Sequence, residues 1–189
     1  MSNKNEPLII SSDETLATVL SDRLNAIGFM SKIDSTGSQV SVEKVYNDDA
    51  HTSIRIGEHL EQLVSNLMYS YGDPFEPKIA VLPANMEMDI DTAIPLSLIV
   101  NELVTNAMKY AYEGINNPEM SISLNKPNGH YLLDFSDNGV GIDHDKDTSN
   151  SFGIRLIKSL VAQLNGTLEI VDIPTGGTRW LITLNTNET

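Results

Sequence analysis

Cysteine is absent from the 189-residue chain, which excludes a disulfide framework and thiolate zinc sites. It also fits a reducing compartment. Positive charge is scarce: 12 Lys and Arg stand against 26 Asp and Glu, a formal charge of −14. That balance argues against non-specific nucleic-acid binding and against anionic membrane surfaces. It leaves nucleotide binding open, because phosphate sites are built locally from backbone amides and a few cations. No apolar run approaches the roughly eighteen residues of a membrane span. The polar start "MSNKNEP" has no signal-peptide pattern, so a cytoplasmic protein without membrane insertion is expected. What is present, 40% hydrophobic and 20% charged residues, is ordinary globular composition with length for one domain, or one plus a small appendage.

The first fifty residues and the rest read differently. "PLIIS" is a short apolar run, and "TLATVLSDRLNAIGF" sets Leu16, Val19, Leu20, Leu24 and Ile27 on one helical stripe that stops at Gly28. "MSKIDSTGSQ" gives a strand-like piece and a turn, and "VSVEKVYNDDA" a second short helix candidate, a β-α-β-α alternation too small for its own core. From Ser53 onward "IRIGEHLEQLVSNLMYSYG" places Leu60, Leu63, Val64, Leu67, Met68 and Tyr71 on one face and ends at Gly72. "KIAVLP" reads as a strand. The next helix can be capped by Asp91 or Thr92, with Pro95 tolerated in its first turn or as a kink. "MSISLN" and "HYLLDFSD" flank the turn "KPNG". "GIRLIKSLVAQLNG" is a helix with Ile154, Ile157, Leu160, Val161 and Leu164 apolar, and "TLEIVD" and "TRWLITLN" form a last hairpin around "IPTGG". The order from Lys78 predicts an α+β fold, with helices on one face of a largely antiparallel sheet.

The chemistry lies in two stretches. In "NELVTNAMKYAYEG", Glu102, Asn106 and Lys109 sit at i, i+4 and i+7, so an acid, an amide and a cation share a face of an otherwise apolar helix. In "DFSDNGVGIDHDKDTSNSFGIRL", Asp137 ends an apolar strand and Gly139 and Gly141 follow at once. A carboxylate there can accept from an exocyclic amine, and the glycines let a flat ring or phosphate approach the backbone. Gly153 opens a helix whose first N–H groups suit anionic oxygens. Residues Asp143 to Phe152 are polar, as a mobile lid would be. Taken singly, each is an ordinary turn or a solvated face; their order carries the signal.

"NELVTNAMKYAY", "DNGVGI", "SFGIRLIKSLVAQLNG" and "GGTRWLITL" resemble the N, G1, G2 and terminal boxes of the histidine-kinase catalytic domain. This is the GHKL or Bergerat fold, a two-layer α/β sandwich shared with gyrase, Hsp90 and MutL. The wording is most similar to the HWE-related kinases with a short lid, and the likeness runs from about Ser53 to Asn185. It implies a connecting amphipathic helix over residues 51–75 and an ATPase domain over 76–189. It further implies that ATP and Mg²⁺ are bound, with Asn106 as the metal ligand. Glu102 would orient or deprotonate the attacking group, Lys109 would contact phosphate, and Tyr110 would lie by the sugar or triphosphate. Asp137 would accept from the adenine amine, with Thr178 nearby through a water. Gly139, Gly141 and Ile142 of "DNGVGI", with Gly153, would shape the pocket and lid.

A kinase of this type carries a phosphoacceptor histidine in an H-R-x-K-N-like box. The histidines here are His51, His59, His130 and His144, none in such a box, so packing or surface roles are expected for all four. Residues 1–50 resemble either a truncated receiver domain, with Asp13 and Glu14 left of its acidic pair, or degenerate dimerisation helices. The expected function is an ATP- and Mg²⁺-dependent kinase domain acting in trans on a partner's histidine, with a response regulator downstream and a homodimer allowed. The alternatives are a serine kinase of the anti-sigma type and a non-catalytic ATP-gated binding module.

Overall fold

The computed structural model describes residues 8–9, 31–33, 40–42, 53–72, 75–142 and 152–185. The helix expected around Leu16 to Ile27 and the lid segment 143–151 lie outside them. Five strands form the main sheet: β5 (Lys78–Leu82), β7 (Met120–Asn125), β8 (Tyr131–Asp137), β9 (Thr167–Asp172) and β10 (Thr178–Leu184), in the order β5-β7-β8-β10-β9. The β5–β7 pair is parallel and the others antiparallel. The hairpin read at "KPNG" closes through left-handed Asn128 and Gly129, φ 51° and 85°, which lets two antiparallel strands meet across a tight turn.

Alternation along the strands turns one face inward. Met120, Ile122 and Leu124 of β7, Tyr131, Leu133 and Phe135 of β8, and Trp180, Ile182 and Leu184 of β10 are buried on it. Helices α1 (Ile56–Ser70), α2 (Ile90–Asn106) and α3 (Phe152–Gln163) cover that face and share a single apolar core with it. The α+β two-layer arrangement expected from the sequence is therefore the one observed. Every residue of α2 from Thr92 to Val104 is buried, as befits a helix enclosed by sheet and neighbouring helices. Among the described residues no helix is long and apolar enough to cross a membrane.

Several local expectations are corrected. Ser53–Arg55 is a short strand, β4, paired antiparallel with β6 (Glu87–Asp89), so the connecting helix begins only at Ile56. Tyr71 is that helix's C-cap and is partly exposed, outside the buried stripe. Because β6 runs straight into α2, the last extended residue is Asp89. It is Asp89, not Asp91 or Thr92, whose carboxylate caps the helix, accepting the Thr92 N–H at 2.9 Å. Pro95 then falls in the second turn, and the helix continues through it. In α3 the buried face includes Leu156, while Ile154 is half-buried. Near the N-terminus, "VSV" is a strand, β3 (Val40–Val42), rather than the start of a helix. It pairs antiparallel with both β1 (Leu8–Ile9) and β2 (Ser31–Ile33), whereas a β-α-β alternation calls for parallel neighbours.

His59 of α1 packs against α2, its Nε2 2.9 Å from Ser97 Oγ. The Ser97 hydroxyl already donates to the Ala93 carbonyl at 2.7 Å, so the imidazole N–H is the donor to the serine. The expected packing role for His59 is thus observed. Burial lowers its pKa from the usual 6.5, since the cation is penalised by lost hydration. The unfolded chain therefore takes up the proton first, and stability fully present above 6.5 is lost as pH falls below it. A thermal melt series from pH 8 to pH 5 should show the wild type losing more stability than His59→Gln; parallel curves would contradict this packing account.

Candidate functional site

The described buried polar or charged residues are Thr92, Ser97, Asn101, Glu102, Asp137 and Thr178. Buried polar groups call for a partner or a role. Thr92 serves the Asp89 cap and Ser97 the α1–α2 contact. The other four form two pairs, Asp137 with Thr178 at the end of β8 and Asn101 with Glu102 on α2.

One half of the site is at the mouth of β8. Asp137 is in phase with Tyr131, Leu133 and Phe135, so its carboxylate occupies an inward position where an apolar side chain would continue the core. It is 7% exposed. The Gly139 N–H donates to its Oδ1 at 2.9 Å, and the Thr178 N–H donates to the same carboxylate. Burial raises its pKa and these two donors pull it back. A carboxylate has about four lone-pair sites, so acceptor capacity remains for a ligand donor. Thr178 follows from register: the pair Arg179↔Ser136 puts it one step on, across from Asp137. Its contact through the main chain is direct. Gly177 is left-handed at φ 99° and its α-carbon lies against the Asp137 carbonyl, leaving no room for a side chain. Tyr112 lies alongside, its pKa raised by burial and then by the Asp137 charge.

The other half is on α2. Glu102 is 2% exposed, and Asn101 Nδ2 donates to its Oε1 at 3.3 Å. Asn106, one turn on, is half-buried. The α3 start closes over both: a β-carbon on Gly153 would stand 2.7 Å from Glu102 Oε2 and 3.4 Å from Asn106 Nδ2. Glycine at 153 thus lets the helix end approach an acid and an amide. After Asn106 the chain passes into a π-helical turn, Ala107–Ala111. Its wider i→i+5 spacing departs from the regular helix on which the line at i, i+4 and i+7 was expected. Glu102 and Asn106 stay together, while Lys109 is exposed and Tyr110 is 69% exposed. The π turn delivers Ala111 to the first half-site: the Val140 N–H donates to the Ala111 carbonyl at 2.8 Å, and Gly139 lies against Ala111.

Of the residues read in the sequence, Asp137, Gly139 and Thr178 meet at one pole, with Gly141 close to the Gly177 carbonyl. Glu102, Asn106 and Gly153 meet at the other. Ile142 is half-buried against the core, and Lys109 and Tyr110 are exposed on the π turn. Asn101, Tyr112 and Gly177 were not singled out from the sequence. Asn101 beside an acid in a largely apolar stretch of helix was the available signal. An adenine ring with a magnesium-bound phosphate chain fits this donor set. A buried acceptor lies at one end, and at the other are hard oxygen donors of the kind magnesium takes in small number alongside phosphate. Among the described residues no group of three or more His, Asp and Glu forms a metal cage.

With a buried acceptor at a strand end and a buried acid on the central helix, this two-layer α+β domain has the GHKL fold. The family of histidine kinase-, DNA gyrase B-, and HSP90-like ATPases matches residues 91–188, and the chain belongs to it. The nitrate/nitrite sensor protein NarQ of Escherichia coli is 31% identical over 94 residues, 49% of this chain and 16% of that protein. Blue-light-activated histidine kinase 2 of Erythrobacter litoralis is 26% identical over 177 residues, 86% of this chain and 49% of that protein. The chain thus spans half or less of these relatives. A solved histidine kinase domain from the Erythrobacter litoralis blue-light kinase superposes with a TM-score of 0.62 at 25% identity, covering 72% of this chain and 69% of that one. The Acinetobacter baumannii histidine kinase AdeS, 13% identical with a TM-score of 0.59 over 93% of this chain and 76% of its own, shares the fold.

The Gly153 contact yields a test. Gly153→Ala should destabilise the fold by about 1–3 kcal/mol through overpacking, read by denaturant unfolding. Combining it with Glu102→Ala should recover much of that loss, because the obstructed oxygen is gone. Simple additivity would mean that α3 does not rest on Glu102.

Proposed function

We propose that this chain binds ATP with Mg²⁺ and transfers the γ-phosphoryl group to a histidine on another polypeptide. The observation that carries the reading is the buried Asp137 carboxylate, held by the Gly139 and Thr178 N–H groups with acceptor capacity left over. In this reading Asp137 accepts from the exocyclic amine of adenine, and Gly139, Gly141 and Ile142 line the base. Asn106 offers its amide oxygen to Mg²⁺, and Gly153 brings the α3 N-terminus close to the phosphates. A magnesium ion held there would neutralise charge on the phosphate oxygens. Glu102, steadied by Asn101, orients or deprotonates the attacking nitrogen. Lys109, exposed on the π turn, supplies a cation to the phosphates, and Tyr110 lies by the sugar or triphosphate. Catalysis of this type is chiefly positioning and charge stabilisation.

Action in trans is supported by the histidines themselves. His59 is committed to Ser97, and His130 is exposed where the hairpin enters β8; His51 and His144 lie outside the described residues. We divide the chain into residues 1–50, a connecting segment 51–75 and the ATPase domain 76–189. A cytoplasmic location, a response regulator downstream and a homodimer complete the proposal. A regulatory module that binds ATP without turnover is the second reading, favoured by the absence of a histidine box.

Incubation with radiolabelled ATP should leave the isolated chain unlabelled and pass acid-labile, alkali-stable label to a histidine-bearing dimerisation domain. Label on the chain itself would overturn the trans assignment, and ATP binding without transfer would favour the regulatory module. Titration should show ATP preferred over GTP, whose carbonyl oxygen faces Asp137 where adenine presents an amine. A mispaired buried polar group costs on the order of 1–3 kcal/mol, roughly fivefold to over a hundredfold in affinity. Asp137→Ala should weaken ATP by about that factor and GTP little. Equal wild-type affinities would remove the adenine assignment.

A further inference from the structure

Asn138 lies between Asp137 and Gly139, and its own side chain turns away from the pocket. The β7–β8 ladder ends at the pair Met120↔Asp137, yet the two segments stay joined for three residues more. The Asn138 N–H donates to the Glu119 carbonyl at 3.2 Å. Its Oδ1 accepts the Glu119 N–H at 2.8 Å, and its Nδ2 donates to the Asn117 carbonyl at 2.9 Å. The Tyr112 hydroxyl donates to the same Glu119 carbonyl at 3.0 Å. The side-chain amide thus stands in for a further rung of the sheet, clasping residue 138 to the loop that follows the π turn. On either side of this clasp are the two groups of the adenine pole, the Asp137 carboxylate and the Gly139 N–H bonded to it.

We propose that Asn138 is a positioning residue for nucleotide selectivity: its two side-chain hydrogen bonds to residues 117 and 119 set the angle at which Asp137 meets the base. The inference rests on the reading of Asp137 as the adenine acceptor. Asparagine suits the position because it donates and accepts from one planar group. Aspartate would accept from Glu119 but turn a second acceptor toward the Asn117 carbonyl. The side chain is exposed, so its removal leaves no cavity in the core and the fold need not suffer. What it loses is the constraint on residues 137 and 139, while Glu102 is held separately by Asn101.

The test compares adenosine, Mg²⁺·tripolyphosphate, ATP and GTP affinities for the wild-type chain, Asn138→Ala, Asn138→Asp and Asp137→Ala. Asn138→Ala should weaken adenosine and ATP alike by roughly fivefold, the loss of about one net hydrogen bond. It should narrow the preference for ATP over GTP and leave tripolyphosphate unchanged. Asn138→Asp, which keeps the Glu119 bond, should fall between, and carries the test alone if the alanine variant does not fold. Unchanged adenosine affinity in both Asn138 variants, with Asp137→Ala impaired, overturns this inference and spares the adenine site. Equal losses of adenosine and tripolyphosphate also overturn it, as the mark of general damage. If Asp137→Ala itself leaves adenosine binding intact, the site reading fails and takes this inference with it.

Discussion

A carboxylate sits on the core face of the central sheet at the end of β8. Asp137 continues the inward alternation of Tyr131, Leu133 and Phe135, so the fold must either hydrate that charge or satisfy it. It satisfies it partly, with main-chain donors from Gly139 and Thr178. Both donors demand particular chain paths. Gly139 must turn back on Asp137, and β10 must begin across from it after the left-handed Gly177. A buried charged group short of its full complement of donors is costly, and that cost is what a ligand donor would relieve. The loop glycines, the last hairpin and the buried acid therefore form one device.

The second pole depends on the first through the chain between them. Helix α2 is buried from Thr92 to Val104, so Asn101 and Glu102 are fixed by packing around them. The π turn that follows is closed at its end by the bond from Val140 to the Ala111 carbonyl. Asn106 and Asp137 are thereby tied by a short main-chain path rather than by a flexible loop. Phe75, edge-on to Tyr112 with ring centroids 5.2 Å apart, brings the segment after the connecting helix to the same place.

Much of this was legible in the sequence, and the reasons differ by element. Strict alternation in "MSISLN", "HYLLDFSD" and "TRWLITL", with turn chemistry between, specified the sheet and its hairpins. Glycines after Asp137 and an acid and amide four residues apart marked both poles. The Asp89 cap was not legible, because it depends on β6 pairing with β4 thirty-odd residues away in the chain. The π turn was not legible either: "AMKYA" carries the same pattern in either helix type, and the turn ends where the Ala111 carbonyl accepts from Val140. Lys109 was therefore expected on a regular helical turn, whereas it stands exposed on the π turn. Asn138 looked like an ordinary turn residue, since its partners become neighbours only through the register Met120↔Asp137. At the other end, the residues around "VSV" were too short a run to distinguish strand from helix.

The central claim is that base and phosphates engage two separate poles of one site, and amide chemical shifts measured during stepwise ligand addition address it most directly. Adenosine alone should move the Gly139 and Thr178 amide signals and leave those of Asn106 and Gly153 in place. Subsequent ATP with Mg²⁺ should then move Asn106 and Gly153. Adenosine shifts centred on Asn106 and Gly153, with Gly139 and Thr178 undisturbed, would contradict the account.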